Sequence, residues 1–307
     1  MLISVVIPAY NRAHCIGRAL ESIRVQGIAE LEVLIGDDGS TDGTTGKVLE
    51  LMPDAKIIRL PVNRGAAAAR NAVLPLSRGE FIACLDSDDE WLPGKLARQI
   101  AYLRGHPEAA LVGTGHILAC KDGTRVNFPG RNHADWRKEL HTAASFHGAS
   151  TPMIRRAVLE EIGLQDERLR VLEDWDWMLR IAEQFPIHVI PDSLAIIHEN
   201  HPSDPDKTVE AMDLFLEKHR DGFLSYGESH ARRVISQHQE NAARTLFRHG
   251  RPQEGCRLLW SSFSRAPLRN PAMIAAFPLA AWDAFARTQI LPAVLGHRNR
   301  RPLRDIS

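Results

Sequence analysis

The first third of the chain alternates short apolar runs rich in β-branched side chains with stretches of helical periodicity, and each apolar run ends in a polar cluster. Leu2 to Ile7 stops at Pro8, Leu31 to Ile35 stops at Gly36-Asp37-Asp38-Gly39, and two further runs cover Lys56 to Leu60 and Glu80 to Leu85. Between them lie a stripe of Ile16, Leu20 and Ile23, then Thr44 to Met52, then an alanine-rich segment from Ala66 to Leu76. Short apolar runs rich in β-branched residues and bounded by turn residues read as strands, and the 3.6-residue stripes read as helices. Their alternation predicts an α/β fold with a mostly parallel sheet and helices on both faces. Such sheets bind ligands at the carboxyl ends of their strands. The polar clusters stand there: Pro8-Ala9-Tyr10-Asn11, Asp37-Asp38-Gly39-Ser40, Asn63-Arg64-Gly65 and Asp86-Ser87-Asp88-Asp89.

Later runs at Ala109 to Ala119, Thr151 to Ile154, Pro186 to Ile190 and Ala195 to Ile197 predict four more strands of the same domain. From about Val209 the pattern turns helical, with Met212, Phe215 and Leu216, then Val234 to Phe247, then Glu254 to Phe263. The expected organisation is an α/β domain over residues 1–205, a helical C-terminal module over 206–295 and a basic tail over 296–307. The tail, with Arg298, Arg300, Arg301 and Arg304, is open to two readings: a solvated end, or a peripheral contact with an anionic membrane surface.

Lys and Arg together number 38, as do Asp and Glu, so no overall field recruits nucleic acid and none is expected as a partner. An anion must be bound by a local site. Cys15, Cys84, Cys120 and Cys256 are far apart with no C-x-x-C pair, which points to reduced thiols and a cytoplasmic protein. Residues 1–8 lack the basic region and cleavage site of a signal peptide, and the apolar stretch 271–294 is broken by Pro278, Asp283, Arg287 and Pro292. No transmembrane segment is expected.

Asp86-Ser87-Asp88-Asp89 follows the apolar strand Phe81 to Leu85. A sparse acidic loop suits Mg²⁺ or Mn²⁺, which takes one or two carboxylates and completes its shell with phosphate oxygens and water. The alternative is an acidic turn that caps the helix starting near Pro93. Asp37 and Asp38 are open to the same division, since a carboxylate at a strand end accepts from a base or ribose, while Asp-Gly-Ser-Thr-Asp is also good capping sequence. Arg70 is either an exposed helix arginine or a fixed cation that meets a phosphate or orders the Asp cluster. Glu173 and Asp174 open an amphipathic helix, where acids complement the dipole; beside a metal-diphosphate site one of them becomes a candidate general base. His198 and His201, after the last predicted strand, are candidate further metal ligands.

Taken together, these residues resemble the family 2 glycosyltransferases of the bacterial cell-surface glycan type, which move a sugar from a nucleotide donor with inversion; the resemblance implies a GT-A fold, a Rossmann-like mixed sheet, here with a C-terminal helical extension. The resemblance covers roughly residues 2–202 and rests on Val5-Val-Ile-Pro-Ala-Tyr-Asn11, Val33-Leu-Ile-Gly-Asp-Asp-Gly-Ser-Thr-Asp42, Asn63-Arg-Gly65, Ala69-Arg-Asn71, Gly79 to Asp89 and Glu173-Asp174-Trp-Asp-Trp-Met-Leu-Arg180. It implies that Pro8, Ala9, Tyr10 and Asn11 line the nucleotide, that Asp37 and Asp38 border the base with Asp38 accepting from it, and that Arg70 assists there. It implies Asp86 near the ribose, Asp88 and His201 on Mn²⁺ or Mg²⁺, Ser87, Asp89 and Glu173 as additional site residues, and Asp174 as the base. The expected partners are a nucleotide-sugar donor, UDP favoured, and a glycan or lipid-linked acceptor. His198-Glu-Asn-His201 stands where many members carry Tyr-Arg-x-His, and the Gln-x-x-Arg-Trp of processive synthases is absent, so a single addition is expected. Two competing readings are a nucleotidyltransferase, which would need a Gly-rich basic loop after the first strand, and a non-catalytic sugar-nucleotide-binding protein.

Overall fold

The computed structural model describes residues 2–142, 146, 148–198 and 203–265. The contacts divide the chain into two compact units, Met1–His201 and Pro202–Ser307.

The first unit opens as the alternation predicts: β1 (Ile3–Ala9), α1 (Ile16–Arg24), β2 (Leu31–Asp37), α2 (Thr44–Leu51), β3 (Lys56–Arg59), α3 (Ala66–Val73) and β4 (Phe81–Cys84). A 3-10 turn at Leu74–Leu76, with Pro75 in it, ends α3 earlier than its alanine-rich pattern predicts. There follow β5 (Glu90–Trp91), α4 (Lys95–Gly105), β6 (Leu111–Ala119), β7 (Arg125–Phe128), α5 (Trp136–Leu140), β8 (Met153–Arg155), α6 (Arg156–Ile162), α7 (Glu173–Gln184) and β9 (Ile187–His198). They form one sheet in the order β3-β2-β1-β4-β8-β6-β9-β5, with β7 paired to β6.

The sheet is mixed, as the family resemblance implies, and its first four strands are parallel, as the alternation predicts. β3, β2, β1 and β4 run parallel, but three-residue β8 enters antiparallel between β4 and β6. β6 and β9 are parallel again, and β5 and β7 add antiparallel edges. The two strands expected on either side of residues 191–194 are one strand, β9. Its register against β6 shifts beside Gly115, where Pro191, Asp192 and Leu194 have no Cα partner. Pro191 cannot donate to a ladder, and its carbonyl instead accepts from the Gly130 N–H at 3.0 Å.

Strands β1, β2 and β4 are buried on both faces, as their unbroken apolar runs require. A buried cluster of Ile3, Val5, Ile7, Leu20, Val33 and Leu96 packs α1 and α4 against one face. On the other, α3 lies so close to β2 that a β-carbon on Gly36 would fall on the Ala69 carbonyl oxygen. That close approach brings Arg70 of α3 beneath the strand ends.

The second unit contains α8 (Pro205–Lys218), α9 (Arg220–Leu224), α10 (Glu228–Arg248) and α11 (Pro252–Arg265). Asp204 caps α8 by accepting from the N–H groups of Asp206 and Lys207. Phe215, Phe223 and His238 stack in its interior, and Ser236 and Ser262 join α10 to α11 across 2.6 Å.

Candidate active site

At the ends of β1 and β2 the carboxylates divide their work. Asp37 accepts from the Ser40 N–H at 2.8 Å and the Thr45 hydroxyl at 2.5 Å, and so shapes the turn into α2. Asp38 accepts from the N–H groups of Arg64 and Gly65, each at 2.7 Å, one on each oxygen. It thereby ties the β3–α3 loop to the end of β2, with Gly65 at φ +99°, a conformation open to glycine. Burial raises the Asp38 pKa against the pull of these two amides. Asn11 accepts from the Thr41 N–H at 2.8 Å, which closes the first strand end onto the second. Pro8 and Ala9 are buried at the end of β1, while the Tyr10 ring is 42% exposed beside them.

The acidic loop is not a helix cap. The residue before α4 is Gly94 and no side chain caps that helix, so Asp86, Asp88 and Asp89 serve something else. One oxygen from each lies within 4.8 Å of the others. Asp86 accepts from Arg70 at 2.6 Å, and Arg12 stands 3.3 Å from Asp88. Asp89 is buried, accepting from Ser150 Oγ at 2.5 Å and from the His198 N–H at 3.0 Å. Ser150 Oγ also accepts from the Asp86 N–H at 3.0 Å, so one hydroxyl spaces two of the acids. Burial and then the neighbouring Asp86 charge push Asp89 well above the ordinary carboxylate range. Three hard oxygen donors crowded at this distance, one of them resisting its charge, fit a divalent cation.

Ser87 is buried, and its backbone carbonyl accepts from Cys15 Sγ at 3.9 Å. His198 does not join the acids with its ring, since Nε2 pairs with Glu90 at 2.6 Å. His201 lies outside the described residues.

Arg70 is not an exposed helix arginine; it is 1% exposed. Its guanidinium donates to Asp86 at 2.6 Å and to Glu173 at 2.8 Å, with Gln165 at 3.3 Å, and its Nε has no partner. Burial opposes its charge, but Asp86 and Glu173 outweigh that and raise its pKa further. Glu173 is raised by burial and then by the adjacent Asp174 charge, against the pull of Arg70. One buried cation therefore joins the acidic loop after β4 to the first residue of α7.

Asp174 follows at once. Its Oδ1 accepts from the Trp175 N–H at 2.8 Å, and Leu172, preceding the pair, holds φ +66°. A left-handed leucine costs about 1 kcal/mol or more, a strain that such sites carry when the surroundings over-determine the backbone. Gly148 lies against the carboxylate. Beside it opens a cavity of about 360 Å³ bounded by β6, β7, α5 and α7.

Sequence reasoning missed Ser150, Gln165, Arg12 and Gly148. Arg12 adjoins the Pro8-Ala-Tyr-Asn11 cluster, and Gly148 and Ser150 fall in the polar stretch before β8, so these three carry a local hint; Gln165 reaches the site from outside any motif.

The family model described as glycosyl transferase family 2 matches residues 4–163. The chain belongs to the family 2 glycosyltransferases. Over 118 residues it is 38% identical to the UDP-Glc:alpha-D-GlcNAc-diphosphoundecaprenol beta-1,3-glucosyltransferase WfgD of Escherichia coli, covering 38% of this chain and 47% of that one. It is 30% identical over 237 residues to the glycosyltransferase YwdF of Bacillus subtilis, covering 73% of this chain and 86% of that one. The match thus spans about half of the first relative's length. Among solved structures, S. aureus TarS 1-349 in complex with UDP-GlcNAc superposes with a TM-score of 0.57 at 19% identity, over 86% of this chain and 89% of that one. That likeness is one of fold, and the fold of this glycosyltransferase is GT-A, followed by a helical C-terminal region. No helix among the described residues is long and apolar enough to cross a membrane.

Proposed function

We propose that the chain is an inverting, metal-dependent glycosyltransferase that moves a single sugar from a nucleotide donor, UDP-linked, to a hydroxyl of a glycan or lipid-linked glycan. The observation that carries the reading is the Arg70 bridge. It holds Asp86 and Glu173 on one guanidinium and so ties the start of α7, where Asp174 follows Glu173, to the loop of the three clustered acids. The names of WfgD and of the TarS complex, a UDP-Glc enzyme and a UDP-GlcNAc complex, support a UDP-sugar.

In this reading Pro8, Ala9, Tyr10 and Asn11 border the base. Asp37 and Asp38 act there chiefly by fixing the loops that surround it. Asp88, with Asp86 and Asp89, would hold Mn²⁺ or Mg²⁺, which when bound neutralises charge on a diphosphate. Asp174 takes the proton of the acceptor hydroxyl. The acceptor oxygen then bonds to the anomeric carbon on the face opposite the diphosphate, and the carbon–oxygen bond to the diphosphate breaks with its electron pair leaving on phosphate. One displacement inverts the centre. The setting proposed is the cytoplasmic side of a bacterial membrane, with a cell-surface glycan as the product.

The test is UDP release from UDP-glucose and UDP-GlcNAc with and without Mn²⁺. Asp174→Asn is expected to lower turnover by about 100-fold or more, and Asp88→Asn to abolish the Mn²⁺ response. Equal release by wild type and Asp174→Asn would return the chain to a non-catalytic sugar-nucleotide-binding protein.

A further inference from the structure

The cavity beside Asp174 shares no lining residue with the groups assigned above to the nucleotide and the metal, and its lining is specific. His116 and Phe128 are opposite residues of the β6–β7 hairpin, and their rings stack at 5.0 Å and 18°. Phe128 is 43% exposed and lines the cavity. Trp175 forms a wall, its ring fixed by donation of Nε1 to the Leu140 carbonyl at 2.5 Å. Phe146 and Met178 add further apolar lining.

Among the described residues the lining contains one carboxylate, Asp174, one imidazole, His116, and no Lys or Arg. A phosphate placed here would meet the carboxylate's negative charge with no lysine or arginine among those residues to offset it. An isoprenoid chain would match the apolar walls but bring no hydroxyl to Asp174. A pyranose ring brings both: its axial C–H groups lie against an aromatic face and its hydroxyls project from the edge. At about 360 Å³ the cavity is at the small end for ligand pockets, suited to one ring rather than a run of sugars.

We propose that this cavity receives the terminal residue of the acceptor as a neutral pyranose, stacked on Phe128 with one hydroxyl turned to Asp174 Oδ2. The inference rests on the reading of Asp174 as the base. The proton of that hydroxyl passes to Asp174, and its oxygen forms the new bond as the donor's diphosphate departs. Phe128 is then a specificity residue of the acceptor site, carried on an exposed hairpin.

The experiment separates this from donor chemistry. Saturation-transfer NMR on the full chain with saturating UDP uses methyl β-D-glucopyranoside, methyl β-D-galactopyranoside, methyl 2-acetamido-2-deoxy-β-D-glucopyranoside, glycerol 1-phosphate and citronellol as probes. At least one glycoside is expected to show saturation concentrated on its axial ring protons, weakened about fivefold or more in Phe128→Ala and kept in Phe128→Trp. Val126→Ala, on the same exposed strand, controls for hairpin damage. Glycoside signals that Phe128→Ala leaves intact, signals from glycerol 1-phosphate or citronellol alone, or no signal from any glycoside would each overturn the proposal. Binding is read without turnover, so failure of the transferase reading appears separately, as absent UDP release.

Discussion

A β-carbon built on Gly148 would lie 2.8 Å from Asp174 Oδ2, closer than such contacts are found. The glycine is there for space, since its backbone is not left-handed. Gly148→Ala must therefore move the carboxylate. A displacement near 1 Å at a base costs about 100-fold in rate, so kcat is expected to fall between about 10- and 100-fold. Thermal melting should shift by no more than a few degrees, because the methyl group meets a side chain at a cavity wall. Full activity in Gly148→Ala, measured as UDP release with acceptor, would remove Asp174 from the chemistry or Gly148 from its neighbourhood.

Much of the parallel half of the sheet was legible because its signals are local. A β-branched run followed by Gly-Asp or Asp-Ser-Asp needs no distant partner to be recognised, and β1, β2 and β4 lie where those runs predict. What failed was decided at long range. The run Thr151 to Ile154 marks three-residue β8, but its antiparallel insertion between β4 and β6 depends on both neighbours. Arg70 looks like any helix arginine until α7 arrives from a hundred residues onward and covers it; the separation to Glu173 is 103 residues. Ser150 falls in a stretch that offers only a hint, and its bonds to Asp86 and Asp89 form across more than sixty residues of chain.

Glu32 makes acid stability testable away from the site. It sits buried on β2, where burial alone would raise its pKa. The Arg78 N–H, the Ser4 hydroxyl, Lys56 and the Arg78 guanidinium instead hold it down to about 2, against an ordinary 4.5. The folded state therefore keeps the charge longer than the unfolded chain does. Its contribution is fully present above pH 4.5 and is lost as pH falls toward 2. Integrated over that window it amounts to roughly 2–3 kcal/mol. Urea unfolding from pH 6 to pH 2.5 should show Glu32→Gln less stable at the upper end and converging on wild type at the lower. Parallel curves would refute the assignment.

Lys95 sets the opposite end of the pH range. The side chain is fully buried, 4.2 Å over the Trp91 ring, and donates to Gln99 at 2.8 Å. Burial lowers its pKa from 10.5 to about 7. Between those values the unfolded chain binds a proton that the folded one does not, so stability should rise with pH from 7 toward 10.5. Lys95→Met, of similar length and without the ammonium, is expected to flatten that rise and to be at least as stable as wild type at pH 7. A wild-type and variant pair with the same slope in guanidinium melts at pH 7, 8.5 and 10 would show that the ammonium is stabilised in place.

Arg70 should prove worth more to the fold than its exposed counterparts. Removing the cation leaves Asp86 and Glu173 facing each other without it, and Glu173 is buried. Breaking a buried pair in this way costs about 3–5 kcal/mol, whereas an exposed pair such as Lys47 and Glu50 is worth less than about 1. Arg70→Met is therefore expected to lose about that larger amount in urea unfolding. Arg70→Lys should retain charge but not geometry, because a single ammonium lacks the planar fork that reaches two carboxylates. The double variant Arg70→Met with Glu173→Gln removes one orphaned charge along with the cation. It should recover part of the stability while leaving UDP release low, since Asp86 and the start of α7 are then no longer joined. Additive losses in the double variant would mean that Arg70 and Glu173 act separately, and the bridge would not be what ties the start of α7 to the loop of the acids.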